Sequence, residues 1–261
     1  MKHHETALER YVARISSDDE VLAVIVSGSV ARGEETERSD VDLYLVVTEP
    51  AWDRALANER IMYVDREDAD YPGGYFDIKL ATIAYLHDAV DHGDDPVRDS
   101  LLHSRVAFTR IPELEALLAR SGDLGEQAWE SRGVSSIAQV RLHAGYFLRE
   151  GIKRKDPLLV ANAALHTVVA ADRALLALNR RLYAGPKYLR SAVESLPVRP
   201  EGWTELADRL LSEPGPETAD ALVSALEGIH EWGVSDELAL SRFVLDNELA
   251  WRTRVPVPEY R

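Results

Sequence analysis

Gly28-Ser29, then ten residues, then Asp40-Val41-Asp42 is the stretch of this chain whose residue types and spacing point to chemistry. Read physically, it is a phosphate site followed by a metal site. Gly28 lets the backbone turn sharply, with no Cβ to obstruct an approaching phosphate. Ser29 is expected to cap the helix that follows and to offer its hydroxyl and nearby amides to an anion at the positive helix end. Asp40 and Asp42, two residues apart at the head of a strand, project both carboxylates from one face. Two hard oxygen ligands on one side of a rigid strand suit Mg2+ that also binds substrate phosphates. Two such ions, about 3.5–4 Å apart, stabilise both the attacking and the leaving oxygen of a phosphoryl displacement.

A third carboxylate completes such a site, and Asp77 is the best candidate. It lies in the segment 75–82, where Phe76, Ile78 and Leu80 alternate with Asp77 and Lys79. That alternation is a strand with one apolar face, and Asp77 takes the polar phase, able to face a metal. It is expected to ligate the metal and to help deprotonate an acceptor hydroxyl as general base. Asp65, Asp68 and Asp70 compete for the role but sit in an acidic segment that reads as loop.

These side chains need a scaffold, and the flanking sequence supplies one. Val21–Gly28 and Val41–Val47 are short, continuous Val- and Ile-rich runs, the pattern of strands buried on both faces. Helical spacing covers Glu5–Ile15 and Ala51–Arg60, and Tyr71-Pro72-Gly73-Gly74 marks a turn before the third strand. From about Ala107 helical periodicity takes over, through Pro112–Arg120, Ser135–Lys153, Pro157–Arg181, Glu201–Leu211, Thr218–Trp232 and Glu237–Arg252. Asp156-Pro157 is placed to end one helix and start the next. The fold class is therefore α+β: a small mixed-sheet domain over 1–110, followed by an all-helical bundle domain over 111–261.

Gly-Ser, ten residues and Asp-x-Asp between apolar strands resembles the nucleotidyltransferase superfamily that includes DNA polymerase beta, kanamycin nucleotidyltransferase and the minimal nucleotidyltransferases. The likeness rests on Gly28, Ser29, Asp40 and Asp42 directly, and on Asp77 by strand context. It implies a catalytic α/β domain that transfers a nucleoside monophosphate from an NTP, ATP by resemblance, using Mg2+ and releasing pyrophosphate. The appended helical half resembles the antibiotic-modifying members. In those, a helical-domain carboxylate serves as base, a role open here to Glu150 or Asp172. Asp172 is equally placed to pair with Arg173 or another cation.

Two cations are candidate NTP-phosphate contacts. Arg32 follows the Gly-Ser pair, with a solvated helix position as its alternative. Lys187, after Gly185-Pro186, is expected to neutralise the β- and γ-phosphates across a cleft between the domains, or else is a solvated loop lysine. Arg98 and His103 match the Arg-x4-His spacing of HEPN ribonucleases, but a chain with eight His and 30 basic residues produces such pairs by composition. His3-His4 is too short a run to argue for a metal site. Trp203, Trp232 and Trp251 read as core or cleft-wall aromatics.

Composition narrows the partners. With 46% apolar residues the chain buries a sizeable core, and without cysteine it has no disulfide, zinc thiolate or Cys nucleophile. A net charge of −15 counts against a DNA or RNA track and suits a cationic acceptor. The N-terminal stretch has no apolar signal region, and the apolar stretch 158–178 contains Asn162, His166, Asp172 and Arg173, so a soluble, cytoplasmic protein without a membrane span is expected. Three functions stay open: NMP transfer to a small hydroxylated molecule such as an aminoglycoside or lincosamide, adenylylation of a protein hydroxyl, or a non-catalytic module that keeps the fold for binding.

Overall fold

A computed structural model describes residues 1–258. It divides into two units, Met1–Asp123 and Leu124–Arg261.

The first unit runs α1 (Lys2–Ile15), β1 (Val21–Ser27), α2 (Gly28–Arg32), β2 (Val41–Val47), α3 (Glu49–Ala57), β3 (Met62–Asp65), β4 (Phe76–Ala81), α4 (Ile83–His92), α5 (Asp95–Leu102), β5 (Arg105–Thr109) and α6 (Leu114–Ala119). The five strands form one sheet in the order β3-β4-β2-β1-β5. β2 and β4 are parallel, and the other neighbours are antiparallel, so the sheet is mixed. Continuous apolar runs bury both faces of the central strands. Val24, Val26, Leu43, Leu45, Phe76 and Ile78 pack with Leu8 and Tyr11 of α1. The alternate residues Ala23, Ile25, Tyr44, Val46 and Ala81 pack with Leu86, Leu101, Leu114, Leu117 and Leu118 on the opposite face.

That second face explains where the division falls. The sequence reading ends the first domain at residue 110, yet Leu114, Leu117 and Leu118 of α6 complete the sheet's far core, and the unit extends to Asp123. β3 and β5 lie at the two edges, where partial exposure removes the apolar signature on which sequence reading depends. Asp65 is therefore the last residue of β3 and not part of a loop. Together with Asp68 it holds Arg14 of α1, at 2.6 and 2.8 Å, and Asp70 pairs with Arg10. These three acids tie the edge strand and its turn to α1.

Among the described residues of the second unit, every regular element is helical. α7 (Glu126–Leu142) continues through a π-helical turn at His143–Phe147 into α8 (Leu148–Arg154). Lys155 leaves the helix with φ 57°, and the Asp156 side chain accepts from the amides of Leu158 and Leu159 at 3.0 and 3.1 Å. With Pro157 in the first turn, this N-cap starts α9 (Pro157–Leu178) where the sequence places it. Then follow α10 (Leu189–Glu194), α11 (Trp203–Ser212), α12 (Pro216–Gly228), α13 (Asp236–Phe243), a second π-helical turn at Val244–Glu248, and α14 (Ala250–Thr253). Trp232 lies beyond α12, which ends four residues earlier than its apolar spacing suggests.

By length and composition α9 could cross a membrane, but half of its most apolar window is buried inside the helical unit. Its inner face is rich in alanine: Ala163, Ala164, Ala170, Ala171 and Ala174 let neighbouring helices approach closely. Asp172 lies on that buried face, 8% exposed, and accepts from Trp203 Nε1 at 2.7 Å. Its partner is thus a core indole and not Arg173, which lies over the Tyr183 ring at 4.6 Å. Burial pushes the Asp172 carboxyl up to about 6, against the Trp203 hydrogen bond and the charge of Arg190.

A carboxyl raised in the folded state stabilises most when protonated, and that stabilisation is lost as pH rises through about 6. Asp172→Asn keeps an oxygen for Trp203 without the charge. Its stability relative to wild type should be greater at pH 7 than at pH 4.5, by roughly 1–3 kcal/mol in denaturant titrations at the two pH values. An identical difference at both would contradict the assignment.

Candidate active site

The site is built at one end of the three central strands. β1 runs out at Ser27, whose cross-strand partner is Asp42. On the other side of β2, Asp42 is in register with Asp77 of the parallel strand β4. Two carboxylates from neighbouring strands therefore point from the same face at the same level. Asp40 precedes β2 in the same phase and joins them. Carboxylate oxygens of Asp40, Asp42 and Asp77 all lie within 4.8 Å of one another, and each residue is half-buried.

Gly28 makes room for this arrangement. Its φ is 64°, in the left-handed region, and a Cβ at this position would lie 1.9 Å from Asp42 Oδ2. The missing side chain therefore accommodates the Asp42 carboxylate directly, a tighter constraint than the phosphate approach read from the sequence. Ser29 also differs in detail. It is the second residue of α2, not its cap; the cap position belongs to Ser27, with no side-chain capping bond. Its carbonyl accepts from the amide of Gly33, where φ 72° ends the turn.

The donor set fits a hard divalent cation. Three carboxylates crowded together repel one another unless a cation or protons intervene. Asp77 Oδ1 is buried and has no hydrogen-bond partner among the described residues. A buried anionic oxygen left unpaired is costly, and a metal ion is the partner that all three carboxylates could share.

Two tyrosines missed by sequence reading complete the surroundings. The Tyr75 hydroxyl hydrogen-bonds to Asp40, which raises its pKa first through that bond and then through the charges of Asp40, Asp77 and Asp42. Tyr71 is raised by burial and then by the Asp40 charge, and its hydroxyl donates to the Ser39 carbonyl at 3.0 Å. Both bracket the turn Tyr71-Pro72-Gly73-Gly74-Tyr75, whose sequence advertises only a change of direction. Gly74 is required there: a Cβ would lie 2.8 Å from the Tyr71 ring.

The other candidates are placed as follows. Arg32 is ion-paired with Asp99 of α5, a buried carboxylate that His103 also approaches, at 3.2 Å. Its charge is thus matched within the fold, where it ties α2 to α5. Arg98 is buried and donates to the Gly93 carbonyl at 2.8 Å, whereas His103 is exposed and reaches back to Asp99, so the two residues of the Arg-x4-His spacing have separate structural partners. Lys187 is exposed in the helical unit, 5.3 Å from the Tyr188 ring centre. Glu150 is held by Arg154 at 2.6 Å and Lys153 at 3.6 Å, contacts that lower its pKa, with the Arg154 hydrogen bond first. Trp203 is 1% exposed and belongs to the core of its unit.

Residues 8–104 match the nucleotidyltransferase domain family, and this stretch of the chain is a domain of that kind. The chain is also similar to the crystal structure of a nucleotidyltransferase-like protein from Exiguobacterium sibiricum, with a TM-score of 0.51 over 96% of this chain and 79% of that one. At 14% identity that likeness is one of fold. No curated protein matches the chain in sequence.

Gly28→Ala tests the packing of the Asp42 carboxylate. The backbone conformation alone costs about 1–2 kcal/mol for a residue with a Cβ, and the contact with Asp42 adds to it. The variant should be destabilised by at least that amount in denaturant titration and should bind Mn2+ more weakly; wild-type values for both would contradict the geometry.

Proposed function

We propose that this chain transfers a nucleoside monophosphate from an NTP, with ATP as donor by resemblance, to a hydroxyl of a small acceptor, releasing pyrophosphate. The observation that carries the reading is the convergence of Asp40, Asp42 and Asp77 around an unpartnered, buried Asp77 oxygen. These three residues would hold Mg2+. Bound there, a pair of Mg2+ ions would neutralise the polyphosphate and stabilise the attacking and leaving oxygens.

The protein's own groups do the rest. Gly28 and Ser29, at the open end of β1, offer backbone amides and a hydroxyl to the β- and γ-phosphates. Asp77 accepts the proton of the acceptor hydroxyl. The acceptor oxygen then forms a bond to the α-phosphorus as the bond to the pyrophosphate oxygen breaks. Arg32 contributes by fixing α2 through Asp99. Lys187 is proposed as a further phosphate contact on charge alone. The net charge of −15 favours a cationic, polyhydroxylated acceptor of the aminoglycoside class over a polyanionic one.

The test is pyrophosphate release with Mg2+, each of the four NTPs and a panel of cationic hydroxylated small molecules. Release should require an acceptor, stop on chelation of the metal, and fall to background in Asp42→Asn and Asp77→Asn. No release with any pair would refute the transferase reading; wild-type turnover in Asp77→Asn would refute the role given to that residue.

A further inference from the structure

Asp40 lies one residue outside the strand ladder. β2 begins at Val41, whose amide donates to the Tyr75 carbonyl at 3.0 Å. What lies before Asp40 is the connection from Gly33, closed by a turn in which Ser39 N donates to the Thr36 carbonyl and Thr36 N donates to Ser39 Oγ. The place of the Asp40 carboxylate therefore depends on the orientation of the Ser39–Asp40 peptide plane, and a hydrogen-bonded strand does not set that plane.

Two side chains from elsewhere in the chain hold it. The Ser39 carbonyl accepts from Tyr71 Oη at 3.0 Å and from Nε2 of His4, on α1, at 3.1 Å. Two donors satisfy both lone pairs of that carbonyl. Because a carbonyl only accepts, His4 carries its proton on Nε2. His4 is 0% exposed, and its Nδ1 is buried without a partner among the described residues. Its ring meets the Tyr71 ring edge-on, with centroids 4.9 Å apart, and lies 4.0 Å from the ring of His3. His3 in turn holds the same connection through the Glu37 carbonyl, at 3.2 Å. A fully buried histidine on an otherwise ordinary amphipathic helix is thus devoted to one peptide group, and that group precedes a carboxylate of the cation site.

We propose that His4 is a positioning residue of that site: its Nε2–H, together with the Tyr71 hydroxyl, orients the Ser39–Asp40 peptide so that the Asp40 carboxylate meets those of Asp42 and Asp77. The inference rests on the reading that the three carboxylates hold a divalent cation. Groups that orient a metal ligand from behind commonly change affinity by about 10–100-fold when removed.

The experiment measures Mn2+ binding calorimetrically, without nucleotide, beside thermal melting in EDTA. The proteins are wild type, His4→Leu, His4→Gln, Tyr71→Phe and Val12→Ala. His4→Leu and Tyr71→Phe should each weaken Mn2+ binding about 10-fold. His4→Gln, whose side-chain amide can restore the donor, should stay within about 3-fold of wild type, well short of the loss in His4→Leu. Val12→Ala trims packing on the same helix and should lower the melting temperature without changing affinity. Wild-type affinity in His4→Leu, or an equal loss in Val12→Ala, would overturn the positioning role. If His4→Leu does not fold, unchanged affinity in Tyr71→Phe overturns it instead. Absence of Mn2+ binding in wild type would remove the cation reading itself, and the positioning role with it.

Discussion

The repulsion among three carboxylates is the constraint around which the N-terminal unit is organised. Two unit charges 4 Å apart oppose each other by about 4 kcal/mol at an effective dielectric of about 20, and Asp40, Asp42 and Asp77 crowd within 4.8 Å. A flexible loop would relieve that repulsion by moving apart. Here the parallel register of β2 with β4 fixes Asp42 opposite Asp77, and the β1–β2 pairing sets Asp42 beside the turn at Gly28. Cores on both faces of the sheet prevent a slip of register, since a one-residue slip would exchange Leu43 and Leu45 for Asp42 and Tyr44. The cost of assembling the charges is met by burial elsewhere, and a bound cation would offset much of it.

Much of this scaffold is legible in the sequence because β1 and β2 are apolar on both faces and β4 is apolar on one. Val21–Ser27 and Val41–Val47 announce themselves as unbroken runs, and Phe76, Ile78 and Leu80 alternate cleanly. The edges are not legible. Met62–Asp65 and Arg105–Thr109 are partly exposed, and their residues carry no periodicity strong enough to stand against turn-forming neighbours. Asp65, Asp68 and Asp70 read as loop in an acidic segment because their partners, Arg10 and Arg14, are more than fifty residues away. Local pattern carries no trace of such pairing.

The site divides in the same way. The three carboxylates were recoverable from spacing and strand phase. The reason for Gly28 was not, because only the β1–β2 pairing shows that the Asp42 carboxylate occupies the space a Cβ would need. Tyr71, Tyr75 and His4 were invisible for the same reason: each acts on Asp40 or on its peptide across a gap in sequence that no motif spans. In the helical unit, Asp172 looked like a candidate base amid apolar neighbours, and its apolar setting is real. Its hydrogen bond to a core tryptophan gives that burial a structural cause.

Taken together, the fold places a cation-ready carboxylate cluster beside a glycine turn, in a nucleotidyltransferase domain, and the rest of the account follows from whether a divalent ion binds there. The most direct measurement is anomalous diffraction from crystals grown with Mn2+ and a non-hydrolysable NTP analogue. An anomalous peak is expected within coordination distance of Asp40, Asp42 and Asp77, with the analogue's phosphates completing the ion's shell. An ordered analogue with no anomalous peak among these three carboxylates would contradict the cation reading.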